Sequence, residues 1–285
     1  MIRYAKPATL DEALTLLDET SWRVLAGGTD FYPAQGSRPI RENILDINGI
    51  GTLRGVVEED THWSIGARTT WTDIIRQPLP SAFDGLKQAA REVGSPQIQN
   101  VASVAGNLCN ASPAADGVPA LLVLDAEVEL RSTGGTRYLP LADFILGNRR
   151  TARRPDELVT AVRVPRASAA GSSAFVKLGA RRYLVISIAM AAIRLTVEDR
   201  IIRHAAIAVG ACSAVATRLP HLEQALVGQR LDGPLGDIVE TAAMPQLVPI
   251  DDVRGSAAYR LDAAREIVAR AVQAATRRPP AEVAA

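Results

Sequence analysis

Cysteine is nearly absent: Cys109 and Cys212 are the only two in 285 residues. Two thiols without C-x-x-C spacing cannot build a disulfide framework, and they are too few for the thiolate set of an iron–sulfur cluster. Histidine is as sparse. His62, His204 and His221 lie far apart, with no H-x-x-x-H spacing, so a metal site has no support. Aromatics make up 4% of the chain, which leaves a core of Ala, Val, Leu and Ile. Charge of one sign is also lacking. A net charge of +1 argues against nucleic acid or an anionic membrane surface as the main partner. No run approaches the roughly 20 apolar residues of a membrane span, and the first residues lack the apolar stretch of a signal peptide. A reducing cytoplasm is the expectation.

What remains is an ordinary globular composition, 47% hydrophobic and 22% charged, of a length that suits two or three modest domains. Thr9 and Glu12 form a capping box that opens a helix through Ala13, Leu14 and Leu17. Strands are expected at 22–26 and 43–47, then a hairpin over 56–67. Thr70 and Asp73 begin a short helix, and 82–93 continues at helical spacing. A loop of small residues and amides fills 95–116 and leads into an apolar helix at 118–124. A hairpin over 127–139 turns at Gly134-Gly135, and a strand at 158–164 ends at Pro165. Residues 166–173 read as a linker. Beyond it come three strands (174–178, 185–197 and 201–211) and helices at 219–226, 236–243 and 256–276. Gly49, Gly51 and Gly55 imitate a dinucleotide fingerprint, but the spacing is off by one residue and a hairpin follows where a helix is required. That reading is rejected.

Two segments can carry chemistry. Ala26-Gly27-Gly28-Thr29-Asp30 follows a buried strand, and its glycines let several N–H groups approach an anion closely. Alone it is more often a plain tight turn, and no lysine follows to make a P-loop. Ser103-Val104-Ala105-Gly106-Asn107 offers a second set of donors. Asp116 either caps the next helix or accepts from a sugar hydroxyl, and Lys177 either faces solvent on its strand or neutralises a cofactor charge. No nucleophile–base pair or paired carboxylates appear, so any reactive group should be a cofactor. Two such cradles suggest an anionic dinucleotide held between two lobes.

Ala26-Gly27-Gly28-Thr29-Asp30 and the 97–116 segment, with Ser103-Val104-Ala105-Gly106-Asn107 and Asp116, resemble the FAD-binding medium subunit of molybdenum hydroxylases. This is the group of the carbon monoxide dehydrogenase flavoprotein and the xanthine dehydrogenase FAD-binding subunit. The segments 209–218 and 251–260 are similar to that family's C-terminal domain. The resemblance implies an α+β chain: a two-lobed FAD-binding domain of the vanillyl-alcohol-oxidase type, with lobes at 1–55 and 56–168. A C-terminal α+β domain at 169–277, with a three-stranded antiparallel sheet and helices, would follow, and 278–285 would be a disordered tail.

It further implies an oxidoreductase subunit that passes electrons from [2Fe–2S] clusters through FAD to an external acceptor. Its partners would be a large molybdopterin subunit and a small [2Fe–2S] subunit, in some cases as a dimer of heterotrimers. By motif position, Ala26 to Asp30 and Ser103 to Asn107 would hold the pyrophosphate and neighbouring groups. Asp116 would bind a sugar hydroxyl, Val159 would line the site, and Lys177 would sit near the polar part of the cofactor. Three positions depart from the family pattern: Ala105 stands for a glycine, Gln99 for an arginine and Val185 for an aspartate. An autonomous flavin oxidase or reductase on the same fold is the alternative.

Overall fold

The computed structural model describes residues 2–277, so the tail at 278–285 lies outside the described residues. The chain builds its first sheet from three short parallel strands in the order Tyr4–Ala5, Ile44–Asp46, Arg23–Leu25. Two residues are too few for alternation to register, so the Tyr4–Ala5 strand is invisible in the sequence. The Thr9–Glu12 capping box forms as expected and starts the helix Leu10–Glu19. That helix buries Ala13, Leu14 and Leu17 with Trp22, Leu45 and Ile47 in one small core. Two 3-10 turns, Ile47–Gly49 and Gly51–Leu53, occupy the glycine decoy.

The second sheet is antiparallel, in the order Val56–Glu58, His62–Gly66, Leu158–Pro165, Glu127–Ser132, Gly135–Pro140. Both expected hairpins are present, and the long strand 158–165 inserts between them. Helices Trp71–Arg76 and Asp84–Glu92 pack beside it, the first opened by the Thr70–Asp73 capping box. Trp63 meets Phe83 edge-on at 5.7 Å between ring centroids, a geometry that adds about 1 kcal/mol beyond burial.

The 95–116 segment departs from the loop expected of it. Pro96 opens the short helix Pro96–Gln99, and Ser103 caps the helix Val104–Asn110. Low helix propensity is overridden because Val104, Ala105 and Leu108 bury in the main core. The helix Gly117–Leu122 follows and is buried throughout.

The C-terminal sheet has the three long strands expected, Ser172–Leu178, Ala189–Glu198 and Ile201–Gly210, plus a two-residue fourth, Thr217–Arg218. The second strand starts at Ala189 rather than 185, so residues 185–188 run as an approach to it. Both faces of this sheet are covered. Ala189, Ala191 and Ile193 point to a core shared with the helices Pro220–Leu226, Leu235–Thr241 and Ala257–Thr276. Met190, Ala192, Ala206 and Ala208 point the other way, into the core around Trp71 and Phe83. Burial on two faces explains why alanine runs continuously here instead of alternating with polar residues. Gly85 brings the helix Asp84–Glu92 close to Ala174, and its N–H donates to Ser173 Oγ at 2.7 Å.

Candidate functional site

A cleft of about 1200 Å³ runs between the first and second sheets and reaches the C-terminal region at residues 184–186. One wall is the turn after the strand Arg23–Leu25. Gly28 takes φ +74°, a left-handed conformation that turns the chain back over the cleft. Gly27 has a different reason to lack a side chain, since a Cβ there would lie 1.9 Å from the Val101 carbonyl oxygen. The opposite wall is the start of the helix Val104–Asn110, so the two cradles seen in the sequence lean on each other.

Among the described residues, the N–H groups of Gly27, Gly28, Thr29 and Asp30 have no acceptor. At the helix start, the Val104 N–H donates to Thr69 O, Gly106 to Ser103 Oγ and Asn107 to Ser103 O, which leaves the Ala105 N–H unpaired. Ala105 carries its Cβ into the core without strain, because this position is helical and not a glycine turn. Two buried side-chain atoms at the cleft also lack partners, Trp71 Nε1 and Asn107 Oδ1. Backbone donors on facing turns, free of internal bonds, are the donor set that a pyrophosphate satisfies. The residues present fit FAD.

The sequence-derived residues fall into two layers. Ala26, Gly27, Gly28, Thr29, Asp30, Ser103, Ala105, Gly106, Asn107, Asp116 and Val159 line the cleft. Val104 and Lys177 do not: Val104 is fully buried in the core, and Lys177 stands behind Asp116. Val159 pairs with Leu130 just before the strand Leu158–Pro165 breaks register with its neighbour, and it lines the cleft.

Asp116 is buried and already engaged. Its Oδ2 accepts from Lys177 Nζ at 2.7 Å and its Oδ1 from Ser187 Oγ at 2.6 Å. Lys177 Nζ also donates to the Glu92 carbonyl at 3.2 Å. Burial pushes the Asp116 carboxyl up, while the Lys177 ammonium and the Ser187 hydroxyl pull against it. Each carboxylate oxygen keeps a further lone pair for a ligand hydroxyl. Gln99 does not line the cleft; it is buried and donates to the Arg91 carbonyl at 3.0 Å. Val185 does line it.

Sequence reasoning missed Arg149, Arg153 and Cys109, which also line the cleft. Nothing local marks them, since a short hairpin and one face of a seven-residue helix bring them there. The Cys109 side chain is exposed on the cleft wall; the protein packed around it raises the thiol above its ordinary value, with Arg153 pulling the other way. It is therefore a neutral thiol at pH 7. Among the described residues, no group of His, Cys, Asp or Glu side chains is arranged to hold a metal ion.

Comparison with known proteins agrees with this geometry. Residues 1–167 match the model of the FAD binding domain in molybdopterin dehydrogenase, and residues 174–275 match the CO dehydrogenase flavoprotein C-terminal domain. The nicotinate dehydrogenase FAD-subunit of Eubacterium barkeri is 38% identical over 201 residues, 68% of each chain. The carbon monoxide dehydrogenase medium chain of Afipia carboxidovorans is 31% identical over 280 residues, 96% of each chain. Among solved structures, a chain of the reconstituted CO dehydrogenase from Oligotropha carboxidovorans superposes with a TM-score of 0.90 at 30% identity. That alignment covers 98% of this chain and 99% of the other. The chain belongs to the molybdopterin dehydrogenase flavoprotein family, as an FAD-binding domain followed by a CO dehydrogenase-type C-terminal domain.

Proposed function

We propose that this chain is the FAD-carrying electron-transfer subunit of a heterotrimeric molybdenum hydroxylase. Its partners would be a large molybdopterin-binding subunit and a small subunit with [2Fe–2S] clusters. Near-full-length similarity to a protein named a medium chain of carbon monoxide dehydrogenase supports this reading. The observation that carries it is the pair of facing turns whose N–H groups, from Gly27 to Asp30 and at Ala105, have no internal acceptor. Bound FAD supplies the exchange of electrons between the iron–sulfur centres and the final acceptor.

The chain's own part is to bind and orient. Ala26 to Asp30 would grip the pyrophosphate from one side, and Ser103, Gly106 and Asn107 would border it and its neighbours from the other, with the Ala105 N–H as the free backbone donor at that helix start. Asp116, held in place by Lys177 and Ser187, would accept from a cofactor hydroxyl, and Val159 would exclude water from one side. Val104 would act only through the core that fixes the helix start. We place the lobes at 1–55 and 56–168 and the C-terminal domain at 169–277, in line with the separate sheets. No helix among the described residues is long and apolar enough to cross a membrane, and a cytoplasmic location accords with two unpaired thiols.

The test is flavin retention by Gly27→Ala. A methyl group there meets the Val101 carbonyl, so the two turns must separate. The variant should purify with less than about a tenth of the wild-type flavin absorbance per protein, the loss of about 1.4 kcal/mol or more of binding energy. Wild-type flavin content in a folded Gly27→Ala protein would refute the assignment of the cradle.

A further inference from the structure

Behind the cofactor turns lies a second cavity of about 280 Å³. Ala26, Gly27 and Ser103 form a wall common to both cavities. The far side is built from Arg54, Arg68, Asn48, Asn100 and Thr70, and no carboxylate lines it. Backbone pairing sets the two arginines side by side: the Arg68 N–H donates to Leu53 O at 2.7 Å, next to Arg54. The Thr69 hydroxyl donates to Gly55 O at 2.8 Å and fixes the same junction.

The two guanidinium groups are not balanced alike. Arg54 forms a bidentate pair with Asp73 at 2.8 and 2.9 Å. Arg68 has no ion pair among the described residues. Its Nη1 donates to the Ile50 carbonyl at 2.7 Å, its Nη2 reaches Asn48 Oδ1 only at 3.4 Å, and its buried Nε has no partner. Asp46 attracts Arg68 from a distance, but its oxygens are engaged by Tyr4 OH at 2.6 Å and the Asn48 N–H at 2.9 Å. Burial, with Arg54 as a like-charged neighbour, pushes Arg68 below its usual pKa. Asn100 Oδ1 accepts from Thr72 Oγ1 at 2.7 Å, which leaves the Asn100 amide NH₂ as a donor.

We infer that this cavity is an oxyanion site for a phosphate-sized group, held by Arg68 and Arg54 with the Asn100 amide. A guanidinium fork matches phosphate oxygens in a way a carbonyl and a distant carboxamide do not. The site stands apart from the cofactor assignment, because neither Arg54 nor Arg68 lines the main cleft. The common wall gives it a consequence. An anion bound there braces the Ala26–Gly27 turn and the Ser103 cap from behind, so occupancy strengthens flavin retention, and flavin strengthens anion binding equally.

The experiment uses the purified complex, with inorganic phosphate as the probe and chloride at matched ionic strength as the control. Thermal unfolding is followed by tryptophan fluorescence, and flavin per protein is measured separately by absorbance. A saturable, phosphate-specific rise in melting temperature is expected. Half-saturation in Arg68→Gln should need about tenfold more phosphate, the loss of one charge-assisted contact. Asn100→Asp retains the acceptor for Thr72 but adds a negative charge to the cavity, and it should weaken phosphate binding at least as much. Absence of a saturable response, or equal half-saturation in wild type and both variants, overturns the inference. Wild-type protein without flavin would instead count against the proposed function, while the phosphate arm still decides this one.

Discussion

Lys177 and Asp116 show how far a residue's role depends on what stands opposite it. Read in the sequence, each had a plain alternative, a solvated lysine on a strand and a helix cap. The structure supports neither: Lys177 and Asp116 are 6% and 9% exposed and bonded to each other, and Asp116 makes no cap bond to its helix. Asp116→Ala would leave the ammonium buried with a single carbonyl for company, a defect that costs about 3–5 kcal/mol. Denaturant unfolding should show that loss, and Lys177→Met in the same chain should restore part of it. A double variant as unstable as the sum of the two singles would mean that the pair does not couple. The glycines were legible by type but not by cause. Sequence suggests that Gly27 and Gly28 free the backbone alike, yet only Gly28 has positive φ, and Gly27 is required by the approach of Val101.

Among the elements, those with local signals came through in the sequence. The capping boxes at Thr9 and Thr70 and the two hairpins rest on contacts a few residues apart, so composition reports them directly. The helix Val104–Asn110 did not, since its stability comes from a core assembled elsewhere. The turn before the last helix is a further case. Asp252 accepts from the Arg254 N–H at 2.8 Å and from the Arg254 and Arg260 guanidinium groups at 2.8 and 2.7 Å. Arg260 is buried and ties this turn to the strand region through the Ile188 and Ala211 carbonyls. The Arg254 N–H, then Arg260, hold the Asp252 carboxyl down to about 2 against some desolvation. A depressed carboxylate stabilises the fold above its unfolded value of about 3.9, and that contribution fades as pH falls toward 2. The melting temperature of wild type relative to Asp252→Asn should therefore be highest above about pH 5 and converge toward pH 2. A gap that stays constant across that window would rule out Asp252 as the titrating group.

At the scale of the whole molecule, a charge network centred on the exposed Asp125 joins the second sheet's region to the C-terminal sheet. Arg194, only 2% exposed, donates to the Val123 carbonyl at 2.7 Å and to Asp125 at 2.8 Å. Arg218 donates to the Leu122 carbonyl at 3.1 Å and to Asp125 at 2.9 Å, and Ser168 Oγ donates to Asp125 at 2.7 Å. Two arginines thus close the carbonyl end of the helix Gly117–Leu122, on whose leading edge Asp116 stands. Asp125→Ala should loosen the two regions together, with a fall in melting temperature and faster proteolysis across 166–173. Unchanged cleavage there would show that the shared apolar core suffices. The sequence by itself determined the α+β class and the family and marked the two small-residue turns that line the cleft, because caps, turns and glycine motifs are local and leave their mark in adjacent residues. Tertiary structure alone decided that Lys177 serves Asp116, that Val104 supports the site from the core and that Arg54 and Arg68 share a cavity. Those pairings join residues 14 to 61 positions apart, and a charge is read as solvent-exposed until the fold supplies its partner.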